Sequence, residues 1–521
     1  MEIQQFSAAT ISSSNMAIRP AAAPQAKEVQ EEVSVPGDQI SLGSGEAQPQ
    51  SDVRSLRILH INDIHGAVEA DSKGNGGLAK AATVFRQEKA EMPDATLTLN
   101  AGDLAEGSMV AYLTKGGVVA EAMSSIGFDA VEPGNHDFAW GQEALQQMLT
   151  DTNAPVLNAN IVNTADGSTL GQPVMIREIN GVKVGMIGVD VQNMHRYVSS
   201  EKLEGLEFKD PVATVGEYLP KLKEAGCDLL MVVSHVGFED DKKIAQAYPE
   251  LDVIVGGHSH TELPEGHYEG STLIVQAGTK GQFVGEVDLD FDMGSRKIVS
   301  ADARLIPVDS SVEPDPEVAD IVARSIDSVA SIGNQVMGVA EEDIHFSHTG
   351  ASMLNQIHAD SVFARTKEEG AEIALVSARN LRGHVPAGEV TYSQLFSAFP
   401  HTEEDTCVMR VKGSALLEEM EERVQDGGRG PATPAGFTYT YDPSLPSGHR
   451  ITDVTMADGS KFDPDREYTV GTTISMMRKS RFADASIKKT ICSSQELFMD
   501  AFKAGSPWTD TPDSRVSTVQ H

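Results

Sequence analysis

Residues 56–66 read Leu56-Arg57-Ile58-Leu59-His60-Ile61-Asn62-Asp63-Ile64-His65-Gly66, a strand-like run that breaks into a polar loop closed by glycine. In extended chain, residues two apart project to one side, so Asp63 and His65 can converge on a common ion. Working outward, short apolar runs alternate with helical patterns. The runs 95–99 (ATLTL), 182–189 (VKVGMIGV), 228–234 (DLLMVVS) and 252–257 (DVIVGG) predict strands. The stretches 77–91, 118–127 and 212–226 predict amphipathic helices between them. This alternation predicts a layered α/β domain with helices flanking a sheet.

Five polar clusters each follow, or lie near, a predicted strand end: 63–66 (DIHG), 102–108 (GDLAEGS), 134–137 (GNHD), 234–237 (SHVG) and 256–261 (GGHSHT). Strand ends are where open α/β sheets carry their ligand sites. His258 and His260 repeat the two-residue spacing of Asp63 and His65. Carboxylate, imidazole and amide oxygen without thiolate form a donor set for hard-to-borderline divalent metals such as Mn²⁺ and Zn²⁺. Taken singly, Asp63, Asp103 and Asn135 read as turn or helix-cap residues and the histidines as core or surface residues. Five together, each in a glycine-flanked loop, read as one site.

The same five stretches, with GNHDF at 134–138, resemble the calcineurin-like metallophosphoesterases, and specifically the 5′-nucleotidase and 2′,3′-cyclic-nucleotide phosphodiesterase family. QAGTKGQFVGEVDLDF at 276–291 resembles that family's closing strand pair, and the likeness extends over about residues 56–505. It implies an α/β fold: a four-layer metallophosphoesterase β-sandwich flanked by helices, joined by a helical connector to a smaller α/β 5′-nucleotidase C-terminal domain. It also implies two divalent metal ions, Mn²⁺ or Zn²⁺. Asp63, His65 and His260 would hold one, Asn135, His235 and His258 the other, and Asp103 would bridge them. Two dications against two carboxylates leave an excess of about +2, matched to a phosphate dianion. His136 would donate a hydrogen bond or proton to the transition state.

The implied activity is hydrolysis of nucleotide phosphate esters by metal-activated water. Alternatives are a phosphodiesterase or non-nucleotide phosphatase of the same fold, or a metal-binding protein with impaired catalysis. The last is motivated by a departure. The family usually reads Gly-Asn-His-Glu-Phe-Asp, its last residue pairing with the catalytic histidine, whereas Ala139 stands there in this chain. Asp137, or another carboxylate, is left to take that role. In the C-terminal half, Arg382 matches the family's substrate-binding arginine, Ser377 stands where Asn is common, and Arg379 replaces a glycine and adds a cation. Two aromatic residues usually sandwich the base. Here Pro431 falls at the first position, with Phe437 or Tyr439 nearby, and Phe482 is the aromatic candidate for the second.

The expected organisation is a disordered leader (1–52), the metallophosphoesterase domain (53–308), a helical connector (309–338), the substrate domain (339–505) and a polar tail (506–521). The 521 residues carry 41 Lys+Arg against 77 Asp+Glu, a net charge of −36 that disfavours nucleic-acid polymers and anionic membranes as partners. A small phosphate ester, a nucleotide foremost, is the expected partner, and protein partners stay unassigned. No apolar run is long enough for a membrane span. Three scattered cysteines suggest buried small apolar residues rather than a disulfide framework. The first thirty residues lack a basic segment followed by an apolar one, so no classical signal peptide is read. The expectation is a cytoplasmic or non-classically exported protein, although the family is commonly periplasmic or extracellular.

Overall fold

The computed structural model describes residues 52–519 except 349, 350, 401, 403 and 483. Up to residue 51, the expected leader lies outside the described residues.

The first lobe is two sheets face to face. One runs in the order Lys297–Pro307, Phe283–Asp292, Val53–Ile61, Thr96–Ala101, Ala130–Glu132. The other runs His267–Glu269, Thr272–Val275, Val253–Val255, Leu229–His235, Val182–Asp190, Val174–Ile179. The first sheet is antiparallel from Lys297–Pro307 to Val53–Ile61 and parallel from there to its Ala130–Glu132 edge, whereas the inner strands of the second are parallel and antiparallel strands close both its edges. Leu56, Ile58, Leu97, Leu99, Val184, Met231, Val233 and Val255 fill the space between the sheets. The opposite side chains, such as Leu59 and Ile61, meet helices Leu78–Glu91 and Gly117–Ile126. Helices Pro211–Glu224 and Phe238–Ala247 cover the outer face of the second sheet. The result is a four-layer sandwich, helix–sheet–sheet–helix. It matches the expected fold, and the predicted strands and helices of this lobe fall within about two residues of the observed ones.

The helix Pro316–Gly333 starts with proline and is capped by Asp315, whose Oδ1 accepts from the backbone N–H of Glu317 and Val318, both at 3.1 Å. Its buried residues Val318, Val322 and Val329 join the first-lobe core. The second lobe is built on a five-stranded sheet in the order Ala432–Ala435, Ile373–Ser377, Glu467–Thr473, Asp405–Lys412, Ile487–Ser493. The stretch read as a polar tail is more than that. Val516–Thr518 pairs in parallel with Phe437–Tyr441, and Arg515 binds Asp360 through two nitrogens at 2.7 and 3.1 Å. Too few apolar residues mark this strand in sequence; partner backbone and an ion pair hold it. Cys227 and Cys407 are buried, and Cys492 is half-buried. Among the described residues no helix is long and apolar enough to cross a membrane.

His358, on helix Met353–Thr366, is fully buried with no hydrogen-bond partner among the described residues on either ring nitrogen, its ring edge-on to Phe399 at 4.9 Å. Burial pushes this imidazole down from 6.5 to about 3. A histidine depressed in the folded state contributes stability that is complete above its unfolded value and lost as the pH falls from 6.5 toward 3, at about 1.4 kcal/mol per pH unit. We expect urea stability of His358→Leu to fall less steeply than wild type between about pH 6.5 and 4. Parallel slopes would show that His358 is not buried in neutral form.

Candidate metal centre

All five clusters sit at the C-terminal ends of parallel strands. Asp63 and His65 follow Val53–Ile61, Asp103 follows Thr96–Ala101, and Asn135 and His136 follow Ala130–Glu132. His235 ends Leu229–His235, and His258 and His260 follow Val253–Val255. The loops are held in unusual backbone. Asp63, His65, Asp103, Glu106, His258 and His260 all have φ between 48° and 72°. Left-handed backbone costs a non-glycine residue roughly 1 kcal/mol, and its concentration here marks a site over-determined by its surroundings.

The ligand atoms converge in overlapping groups. Asp63, His65 and His260 form one, and Asp103, His235 and His258 another, with atoms in each within 4.8 Å of one another; His65, Asp103 and His136 connect the two. His260 Nε2 lies 3.3 Å from Asp63 Oδ1 and 2.9 Å from His65 Nε2. His65 Nε2 stands 3.8 Å from both Asp63 and Asp103. Asn135 Oδ1 lies 2.8 Å from His258 Nδ1, which brings the amide to the second group. The seven residues expected as ligands are thus together, with Asp103 between the two groups.

The donor set fits divalent cations. His235 donates from Nδ1 to the carbonyl of Ala101 at 2.7 Å, so in the neutral imidazole its Nε2 carries the lone pair. That nitrogen is fully buried, has no hydrogen-bond partner among the described residues, and faces Asp103 Oδ2 at 3.1 Å. Two acceptors facing each other in a dry site are reconciled by a cation, and a backbone carbonyl fixing the other ring nitrogen is the usual support for a histidine ligand. With protein groups alone, burial opposes charge on both partners. Their mutual attraction prevails, holding Asp103 well below its ordinary value and His235 well above.

Gly134 shows how tight the centre is. Its backbone is extended, but a Cβ would lie 2.3 Å from Asp103 Oδ1 and 2.7 Å from His235 Nε2. We expect Gly134→Ala to fold while weakening divalent-metal affinity by about tenfold to hundredfold, measured by calorimetric titration. Unchanged affinity would mean that these two ligands are not fixed by contact.

Asp137 is not the partner of His136. Its Oδ1 accepts from the N–H of Leu104 (2.9 Å) and Ala105 (3.0 Å), and its Oδ2 from the N–H of Gly134 (2.9 Å). Burial, and then the neighbouring Asp103, push it up to about 7. The carboxylate at His136 is Glu106, whose Oε2 accepts from Nδ1 at 2.9 Å. Ala139 lines the same small gap. Glu106 lies inside the quoted 102–108 stretch, and its acidity there was the available signal.

Other contributors were also unread. Asn62 donates to Asp63 Oδ2 at 2.6 Å and to the carbonyl of Gly278 at 2.8 Å, tying the ligand to its neighbouring loop. Tyr197 brings its hydroxyl to 3.2 Å from His258 Nε2. Behind His235, Glu132 and Asp190 are fully buried, each with one oxygen lacking a hydrogen-bond partner among the described residues, and burial raises both well above the ordinary range.

In the second lobe Arg379 and Arg382 are exposed, and their side chains make no hydrogen bond or ion pair among the described residues. Their charge reaches His348, whose imidazole is lowered by burial and then by Arg382 and Arg379. The aromatic candidates are not available for stacking: Phe482, Phe437 and Tyr439 are buried in the second-lobe core. Tyr439 also spends its hydroxyl on the carbonyl of Ala432 at 2.7 Å.

The family model described as calcineurin-like phosphoesterase matches residues 56–262, and that described as 5′-nucleotidase, C-terminal domain, matches residues 328–480. The chain is 29% identical to the endonuclease YhcR of Bacillus subtilis over 458 residues, 81% of this chain but 37% of that one. This chain therefore spans little more than a third of that relative's length. It is 27% identical to the snake venom 5′-nucleotidase of Naja atra over 448 residues, 76% of this chain and 83% of that one. A solved structure of a putative 5′-nucleotidase from Staphylococcus aureus has the same fold, with a TM-score of 0.74 at 21% identity, covering 89% of this chain and 99% of that one. With both halves of the architecture matched in order, the chain belongs to the 5′-nucleotidase family of calcineurin-like metallophosphoesterases.

Proposed function

We propose that this protein is a divalent-metal-dependent hydrolase of small phosphate esters, nucleotides among them, working with two Mn²⁺ or Zn²⁺ ions. The observation that carries the reading is the convergence of Asp63, His65, Asp103, His235, His258 and His260 on overlapping groups, with Asn135 at one of them. Such ions supply Lewis acidity toward phosphoryl oxygens and make water a better nucleophile at neutral pH. Asp63, His65 and His260 would hold one ion and Asn135, His235 and His258 the other, with Asp103 bridging. The protein's own residues do the rest. Asp103 Oδ1 accepts the backbone N–H of His136 at 2.8 Å, fixing the histidine's main chain to the centre. With Nδ1 donating to Glu106, the protonated ring of His136 would present Nε2–H for a hydrogen bond or proton to the phosphoryl group as charge develops.

The surrounding protein is acidic, so attraction of an anion is local to this cleft and, by our reading, to Arg379 and Arg382 on the second lobe. The burial of Phe482, Phe437 and Tyr439 favours a second reading within the class, a phosphodiesterase or phosphatase with little base preference. Each lost stacking ring removes about 1 kcal/mol of base recognition. Metal analysis followed by a panel of nucleoside mono- and diphosphates, 2′,3′-cyclic nucleotides, UDP-sugars and an aryl phosphate tests both. We expect metal-dependent turnover of several esters. Full metal occupancy without turnover on any member sinks the proposal, and strong selectivity for one nucleoside monophosphate sinks the second reading.

A further inference from the structure

We infer that Glu106 and Thr402 are positioning residues for His136, and that through them the seating of the second lobe sets the orientation of that histidine. The inference rests on the phosphohydrolase reading and goes beyond it. Ala139 offers only a methyl group to the gap beside His136, and both oxygens of Asp137 are taken by backbone N–H groups. Glu106 fills the role from another strand end. It is nearly fully buried and its backbone is left-handed, at φ 69°. Gly107, next in the chain, passes so close to the carbonyl of His65 that a Cβ would lie 2.5 Å from it. The loop is therefore pressed against the metal-ligand loop, which fixes where the Glu106 side chain starts.

Its two oxygens face different lobes. Oε2 accepts from His136 Nδ1 at 2.9 Å, and Oε1 accepts from the hydroxyl of Thr402, a buried residue shortly before Asp405–Lys412 of the second lobe. A carboxylate held at both oxygens cannot turn about its terminal bond, whereas one held at a single oxygen can. Other contacts seat the lobes nearby: Arg478 donates to the carbonyl of Val198 at 2.9 Å, and the rings of Tyr112 and Phe396 lie 5.6 Å apart. Unseating the second lobe would remove the Thr402 hydrogen bond, admit water to Glu106 and leave His136 with a loosely oriented partner. The histidine would then be aligned only when the lobe carrying Arg379 and Arg382 is in place.

The test uses the full metal-loaded chain and a saturating aryl phosphate. Glu106→Gln should lower kcat by about tenfold to hundredfold with KM and bound metal unchanged. In a His136→Ala background the same change should cost nothing further, because residues acting as a unit are not additive. Adding Ala139→Asp to Glu106→Gln should restore most of the rate, since position 139 lines the same gap. Thr402→Val should lower kcat by about threefold to tenfold, again without a change in KM, and should have no effect on top of Glu106→Gln. Wild-type kcat in Glu106→Gln, losses that multiply with His136→Ala, or no rescue by Ala139→Asp overturns the role of Glu106. Wild-type kcat in Thr402→Val overturns the coupling to the second lobe. If wild type turns over none of the esters, the functional reading fails and crystal structures decide this one: the His136 ring should be displaced or split between rotamers in Glu106→Ala, and an unmoved ring overturns the inference.

Discussion

Asp103→Ala is expected to abolish hydrolysis and to strip at least one equivalent of divalent metal from the protein. Asp103 is buried, and its Oδ2 lies 3.1 Å from His235 Nε2 and 3.8 Å from His65 Nε2, so it is the carboxylate shared by both ligand groups. Its Oδ1 meanwhile accepts the backbone N–H of His136. Truncation removes a negative charge that would offset bound cations and frees the loop that carries His136. Loss of several kcal/mol of transition-state stabilisation corresponds to about a thousandfold or more in kcat/KM. Asp103→Asn keeps the shape and an oxygen but not the charge, and should bind metal more weakly than wild type while folding normally. Elemental analysis and the ester panel read both effects. Wild-type metal content together with wild-type turnover in Asp103→Ala would remove this residue from the centre.

The second large effect concerns stability. Glu419 is fully buried in the second lobe and faces three cations: Arg423 Nε at 2.6 Å, Lys479 Nζ at 2.5 Å and Arg481 Nε at 3.1 Å. Arg423 is itself buried and also donates to Ser377 at 3.2 Å. Replacing a buried ion pair with apolar groups can be neutral, but deleting one partner leaves charge without compensation, which costs about 3–5 kcal/mol. Here three guanidinium and ammonium groups share one carboxylate, so Glu419→Ala should lie at the upper part of that range. Chemical denaturation followed by a probe in the second lobe should show the transition shifted to much lower denaturant, with Glu419→Gln between the two. A transition within experimental error of wild type would show that water or chain relaxation replaces the carboxylate at little cost.

The ligand loops were legible because two local requirements coincide in a few consecutive residues. A strand must end before the loop begins, which hydrophobic periodicity shows, and a divalent ion needs oxygen and imidazole donors, which residue type shows. Asp63, His65, Asp103, Asn135, His235, His258 and His260 meet both conditions, and the structure brings them together. The partner of His136 was not legible. Glu106 precedes it by 30 residues and reaches it because neighbouring parallel strands, Thr96–Ala101 and Ala130–Glu132, place their following loops side by side. The sequence therefore shows only a missing partner at Ala139, whereas in the fold a carboxylate reaches His136 from another loop.

Burial separated the remaining expectations. Phe437, Tyr439 and Phe482 have the residue type a base-stacking site requires, but type alone does not say which way a ring points. Packing of the second-lobe sheet turns all three inward. Val516–Thr518 lacked an apolar signature because its order comes from pairing with distant backbone and from Arg515, not from its own side chains. The sequence by itself determined the sandwich and the donor types gathered in its candidate metal loops, since periodicity and donor type are properties of short segments. Only the tertiary structure decided which carboxylate orients His136, which aromatic rings are available to a ligand and how the second lobe touches the centre, because each depends on where side chains far apart in the chain are packed against one another.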